Sequence, residues 1–234
     1  MAVGYSTARG VGVTGKYHGI RMESLVRLGW IVTGLSALPP HRLAAQTVTD
    51  PLAGRTRGLP TAPVTVYEMS DFQCPYCRSF AIETFPALDS AYVATGKVRW
   101  VFVNFPLTSV HPNALPAAEL ALCAAQQGAF WRVHDLLYLH QATWAPLKEA
   151  GPFLLSLADS ARLDRKATVA CLKAPETRET VRADAEGAER SGATSTPTFY
   201  IEGGLLSGAH PLPLFRQVLD SIYGVKKGGK AVRR

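Results

Sequence analysis

The sequence predicts an α/β protein in which a βαβ unit, an all-helical insertion and a closing ββα unit follow one another. Three observations carry this expectation. "APVTVYEMSD" (62–71) and "KVRWVFVNFPL" (97–107) are strand-like runs separated by a stretch of helical character. Residues 114–191 keep helical character throughout. "TPTFYIEGGLLSGA" (196–209) then has the form of a hairpin.

Ahead of these elements, "LGWIVTGLSAL" (28–38) is an apolar run preceded by Arg21 and Arg27 and followed by "PPHRLAAQ". It is shorter than the roughly 20 apolar residues a membrane-spanning helix needs. It fits the apolar region of a secretory signal over residues 1–45, with a small-residue cleavage site near Ala44-Ala45. The lead before Met22 is long for such a signal, which makes Met22 an alternative start. The competing reading is an N-terminal core helix. Export, to a periplasmic or otherwise extracytoplasmic location, would place the cysteines in an oxidising compartment. Residues 46–61, rich in Thr, Gly, Pro and Arg, are expected to be a linker.

The formal net charge of +7 sits at the two ends. Residues 1–60 hold seven Lys/Arg against two Asp/Glu and 224–234 five against none, while 61–223 holds thirteen against sixteen. A folded phosphate-binding face is therefore not indicated, and no nucleic-acid partner is expected. The tail 225–234 is expected to be a basic disordered end.

The first half, 62–113, opens with an alternating strand. "CPYCRSFAIETFPALDSAYVATG" follows as a helix with Gly96 as its stop. The next strand is nearly continuous in apolar residues, as a buried parallel strand is. Gly128, Gly151 and Gly192 punctuate the insertion, and Asp164 suits a helix N-cap. In the second half, 192–224, the hairpin is expected to turn at Gly203-Gly204, and "PLPLFRQVLDSIYG" to close the fold as a helix ending at Gly224.

The chemistry centres on "SDFQCPYCRSF" (70–80). A zinc site would need a second C-x-x-C, but Cys123 and Cys171 stand alone in helical segments. A purely structural 74–77 staple is the other bland reading. The redox reading has a mechanism. Cys74 falls where strand meets helix, so its sulfur faces unpaired N–H groups and the positive end of the helix dipole, which favours the attacking thiolate. Pro75 occupies the first turn, where a missing N–H costs nothing. Cys77, one turn further in, can close a disulfide with Cys74 but is poorly placed to meet a bulky partner.

Val64, Val66 and Glu68 point the same way on their strand, so a carboxylate lies on a valine face just before the cysteines. Burial there would raise its pKa and let it relay a proton to or from Cys77; the alternative is a glutamate on the rim. Asp71 is the rival, ranked second because a turn is more readily solvated. His111, His134 and His140 are read as helix-boundary or surface residues. Phe130, Trp131, Tyr138 and Trp144 are read as insertion core.

With "DFQCPYC", "TGKVRWVFVNFPL", "HPNALPAAELALCAAQQGAFWRVHDLLY" and "GATSTPTFYI" in place, the chain resembles the DsbA-like secreted branch of the thioredoxin superfamily over about 62–224. The resemblance implies a thioredoxin fold with a helical insertion and a thiol:disulfide oxidoreductase. Cys74 would be the exposed nucleophile, Cys77 the resolving thiol and Glu68 the buried acid. Pro197 would be a cis-proline packed against the disulfide, and Thr196 would offer its backbone to a substrate strand. Pro75 and Tyr76 complete the expected substrate-facing loop. Trp100 stands where the enterobacterial oxidase has a basic partner for the acid.

The expected activity is oxidation of reduced exported proteins through a mixed disulfide, followed by reoxidation by a quinone-linked or similar membrane partner. No metal or cofactor is expected, and a monomer is favoured. A disulfide isomerase or reductase, and a non-catalytic chaperone, are the alternatives. The resemblance, together with an even cysteine count in an oxidising compartment, also implies a structural Cys123–Cys171 bridge. Two separate buried thiols are the alternative.

Overall fold

In the computed structural model, residues 52–228 are described. The expected signal region with its cleavage site and Met22, and residues 229–234 of the basic tail, lie outside them.

Strand β1 is Thr56–Arg57, β2 is Val64–Ser70 and β3 is Val98–Asn104. Between β2 and β3 runs helix α1 (75–93), in consecutive pieces Pro75–Ser79, Phe80–Thr84, Phe85–Leu88 and Asp89–Val93. β2 and β3 are parallel, in register from Val64 opposite Val98 to Ser70 opposite Asn104. Pro86 sits inside α1, where it can donate no hydrogen bond and its ring crowds the carbonyl four residues back. The turn before it widens, Phe85 N–H reaching Phe80 O, and so absorbs the misfit. α1 stops where Gly96 adopts φ +73°, with Gly96 N–H donating to Val93 O (3.0 Å) and Lys97 N–H to Tyr92 O (2.9 Å). That pair of bonds needs a left-handed residue, which glycine supplies without steric cost.

The insertion comprises α2 (Ala114–Gln126), α3 (Phe130–Leu139), α4 (Gln141–Trp144), α5 (Gly151–Ser160), α6 (Arg165–Lys173) and α7 (Pro175–Arg190). Asp164 caps α6, its Oδ1 accepting from Ala167 N–H at 2.6 Å. Gly128 and Gly192 follow α2 and α7 as stops, whereas Gly151 opens α5 rather than ending a helix. Arg162, at φ +56°, closes α5 in the same left-handed way without being glycine.

β4 (Thr198–Ile201) and β5 (Gly204–Ser207) form the hairpin, and α8 (Leu212–Gly228) follows. The turn lies one residue earlier than expected. Glu202 (φ +48°) and Gly203 (φ +94°) are its two central residues, and Gly204 is already paired with Ile201. α8 runs past Gly224, and Lys226 pairs with Glu202 of the hairpin. The first residues of the expected disordered tail are therefore helical.

The sheet order is β1-β3-β2-β4-β5, with β2–β3 parallel and the other pairs antiparallel. The linker expected over 46–61 is corrected at its end: β1 adds an edge strand to β3, Thr56 facing Val101. Arg55 beside it is buried and holds Asp184 of α7 through both carboxylate oxygens, and Asp184 also accepts from Asn104 Nδ2 at 2.8 Å. A residue that must bury a paired guanidinium has a fixed position, which a linker would not give it.

One face of β2 and β3 meets two apolar clusters. Val64, Val66, Trp100 and Phe199 pack with Phe80 and Leu88 of α1 and with Phe215 and Leu219 of α8. Phe72 and Phe102 pack with Ala117, Leu120, Phe130, Val133 and Tyr138 of the insertion. Trp131 touches both clusters. The insertion is thus part of the core beneath the C-terminal end of β2, where the cysteines begin.

Candidate active site

β2 ends at Ser70 and the chain turns through 71–74, Cys74 N–H donating to Asp71 O at 3.1 Å. Cys74 itself is extended (φ −69°, ψ 125°) and stands at the N-cap of α1, with Pro75 in the first turn and Arg78 N–H donating to its carbonyl at 3.1 Å. Its thiol donates to Thr196 O at 3.4 Å, across from a cis Thr196–Pro197 peptide bond. Thr196 Oγ1 is buried and makes no hydrogen bond among the described residues.

Both cysteines are free thiols. The Cys74 pKa is drawn down to about 6: a hydrogen bond from Cys77 does most, burial opposes it, and the N–H groups of Cys77 and Tyr76 add to the lowering. These are the unpaired donors of a helix start. Cys77 goes the other way. Burial pushes its thiol well up, and its bond to Cys74 and the charge there push further, against a 3.5 Å bond from Asp71 N–H. The expectation of an exposed Cys74 is corrected in degree. It is 4% exposed and Cys77 0%, so only a narrow opening separates attacking from enclosed sulfur. The insertion and the cis-proline loop cover it from both sides. Tyr76, 69% exposed, is the open part of the CPYC turn, and Val110 on the neighbouring 105–113 loop is similarly open.

Glu68 is 1% exposed. Its Oε2 accepts from Trp100 Nε1 at 2.8 Å, while Oε1 is buried without a hydrogen-bond partner among the described residues. Burial raises its pKa, the charge of His134 and the bond from Trp100 opposing the rise. Trp100 thus supplies a neutral donor in the place of a basic partner. His134 is corrected from boundary residue to core residue: it is 1% exposed, on α3, with ring centroids 5.4 Å from Phe102 and 4.9 Å from Tyr138.

Asp71 is as buried as Glu68, contrary to the solvated turn expected of it. Its carboxylate is fully engaged: Gln73 N–H reaches Oδ1 (2.7 Å), Leu107 N–H reaches Oδ2 (2.8 Å), and His111 Nδ1 lies 2.7 Å from Oδ2. It ties the cysteine turn to the 105–113 loop. Gln141 of α4 does the same from the other side, its Nε2 donating to the carbonyls of Phe72 (2.7 Å) and Cys74 (3.0 Å).

Sequence reasoning missed four residues here: Ser70, His134, Tyr138 as a polar group, and Gln141. Only Ser70 carried a signal, since it shares the strand face of Glu68. Away from the site, Cys123 of α2 and Cys171 of α6 are joined by a disulfide, Cα atoms 5.7 Å apart. Among the described residues no cluster of three or more His, Cys, Asp or Glu side chains is gathered as for a metal ion, and no helix is long and apolar enough to cross a membrane.

A sequence profile of the family described as Thioredoxin matches residues 51–221. The chain is 30% identical over 150 residues to the "Probable disulfide bond formation protein D" of Bacillus anthracis, covering 63% of this chain and 69% of that protein. It is 34% identical over 207 residues to a protein of Salinispora arenicola named "Na(+)/H(+) antiporter NhaA 1". That match covers 83% of this chain but only 30% of the relative, so the name describes a protein of which this chain matches a segment. Among solved structures, alpha-DsbA1 of Wolbachia pipientis shares the fold: TM-score 0.68 at 24% identity, covering 75% of this chain and 94% of that one.

Proposed function

We propose that this chain, which belongs to the thioredoxin superfamily as a DsbA-like thiol:disulfide oxidoreductase, works in the oxidising direction on exported proteins. In the working cycle a client thiolate attacks Cys74 Sγ of the Cys74–Cys77 disulfide, and Cys77 leaves and takes up a proton. A second client thiolate then attacks the client sulfur of the mixed disulfide. This releases a disulfide-bonded client and the Cys74 thiolate. A membrane redox partner accepts the two electrons and restores the disulfide. Thr196 and Pro197, with Pro75 and Tyr76, form the surface on which the client strand lies. Glu68 supplies and accepts the Cys77 proton. The apolar run at 28–38 supports export to an extracytoplasmic compartment, where the chain would act as a monomer.

The observation that carries this reading is the inequality of the two thiols, Cys74 lowered to about 6 at the helix start and Cys77 pushed up behind it. A stabilised Cys74 thiolate favours the reduced state, and a pair that favours reduction is an oxidant toward its clients. Titration of the pair against glutathione tests it. An oxidising potential, near the roughly −120 mV of a strong oxidase, is expected; a value near the about −270 mV of thioredoxin would assign the chain to reduction instead.

A further inference from the structure

Three donors converge on the buried Asp71 carboxylate, and two of them come from one short loop. Leu107 N–H donates to Oδ2 at 2.8 Å, and His111 Nδ1 lies 2.7 Å from the same oxygen. Gln73 N–H occupies Oδ1 at 2.7 Å. A carboxylate oxygen that accepts from a backbone N–H accepts from the imidazole too, so Nδ1 carries the hydrogen of this bond. Leu107 and His111 are the two feet of a turn, the N–H groups of Val110 and His111 donating to Leu107 O at 3.0 and 2.9 Å. Pro106 and Pro112 stand just outside the feet, where a fixed φ removes freedom the loop would otherwise have to lose. Asn113 extends the brace: its N–H donates to Gln73 Oε1 at 2.6 Å and its Nδ2 to Leu147 O at 2.7 Å.

What this brace holds up is Val110, an exposed apolar side chain at the loop tip. A single exposed apolar residue is ordinary on a protein surface. This one sits on a loop fixed at both feet to the residue three places before the nucleophile, which makes it a preorganised contact. Its branched side chain is itself stiff. Between Pro106 and Asn113 the sequence carries no Asp, Glu, Lys or Arg, so the tip offers apolar contact rather than charge. A client whose thiolate reaches Cys74 carries the side chains beside its own cysteine along the rim of the same turn. Resting on the thiol-exchange reading, we infer that Val110 is a specificity residue that meets an apolar side chain next to the client's reacting cysteine. The Asp71 carboxylate and His111 are positioning residues, acting through Val110 by fixing the tip against the cysteine turn.

The test offers the oxidised full-length protein two reduced dithiol peptides that differ only in Leu or Ser beside each cysteine. Peptide disulfide is followed by chromatography. The readout is the ratio of the two second-order rate constants, because damage to the reactive thiols slows both peptides alike. Wild type is expected to favour the Leu peptide about tenfold, the lower end of what burying an apolar side chain contributes. Val110→Ser should bring the rates within about twofold of each other. His111→Ala should remove most of the preference, while His111→Asn, whose amide can donate to Asp71 from the place of Nδ1, should keep it. Neither side chain is buried, and Val110→Ser leaves the brace untouched. Equal rates in the wild type, or a preference unchanged by Val110→Ser, would overturn the specificity role. A preference unchanged by His111→Ala, or lost in His111→Asn, would overturn the positioning role. Oxidation of both peptides leaves the oxidoreductase reading standing in each of these cases; if neither peptide is oxidised, that reading falls as well.

Discussion

Two cysteine pairs in one chain meet opposite environments. Cys74 and Cys77 are three residues apart at a helix start, in a turn that Asp71 and Gln141 hold from outside. Cys123 and Cys171 are 48 residues apart and bridge α2 to α6. The first pair has one sulfur lowered by hydrogen bonds and one raised by burial; the second is a cross-link within a hydrophobic block. Spacing fixes what each can close, and the surrounding donors decide whether closing is reversible chemistry or a constraint on the unfolded chain.

The largest effect expected from breaking this comparison is at the first pair. Cys74→Ser should reduce thiol exchange to background, and Cys77→Ser should accumulate mixed disulfides visible on a non-reducing gel. A Cys77→Ser protein that turned over clients normally would remove the distinction between attacking and resolving thiols.

Removing the second pair should cost stability alone. Replacing Cys123 and Cys171 together by Ala opens a loop whose closure is worth up to about 4 kcal/mol in the chain-entropy account. In a domain of this size that lowers the melting temperature by on the order of 10 °C. Exchange by the Cys74–Cys77 pair, measured well below melting, should stay within about twofold of wild type. A parallel loss of exchange would mean that the bridge positions the active turn.

The fold's legibility divides along the same line. The cysteine turn was readable because its signals are local: Pro75 in a first turn, Glu68 two residues from Val66, Gly96 closing α1. Pro86 was the local exception, a proline that α1 tolerates by widening one turn. What surrounds the turn was not readable. His134 and Tyr138 come from α3, and a helix apolar on most sides does not reveal which of its polar residues is turned inward. The Thr56–Arg57 strand is too short to show alternation, and it exists only because β3 offers an edge. At "EGG", either pair of neighbours could have made the turn; the left-handed conformation of Glu202 is set by the register of β4 against β5.

Glu68 gives a smaller, pH-dependent effect. Its folded pKa is raised by burial above the ordinary 4.5, so its contribution to stability is full below the unfolded value and is lost as pH rises through the folded one. Glu68→Gln cannot ionise and should therefore gain stability relative to wild type at about pH 8, with no such gain at about pH 4. Urea midpoints at the two pH values check this, and a gain confined to acid pH would contradict it.

The smallest effect sharpens the contrast by acting only in the insertion. Arg162 is exposed and left-handed. Arg162→Gly should stabilise the protein by about 1 kcal/mol and leave the reactivity of Cys74 unchanged, read by thermal melts alongside exchange rates.

The central claim is that the two active thiols are unequal by design of the helix start. Alkylation of the reduced protein by iodoacetamide across pH, with the modified residue identified by peptide mapping, tests it most directly. Modification should fall on Cys74, with a midpoint near the value of about 6 that its hydrogen bonds set, and Cys77 should remain unmodified. A midpoint near the ordinary thiol value of about 8.5, or label found mainly on Cys77, would contradict the account.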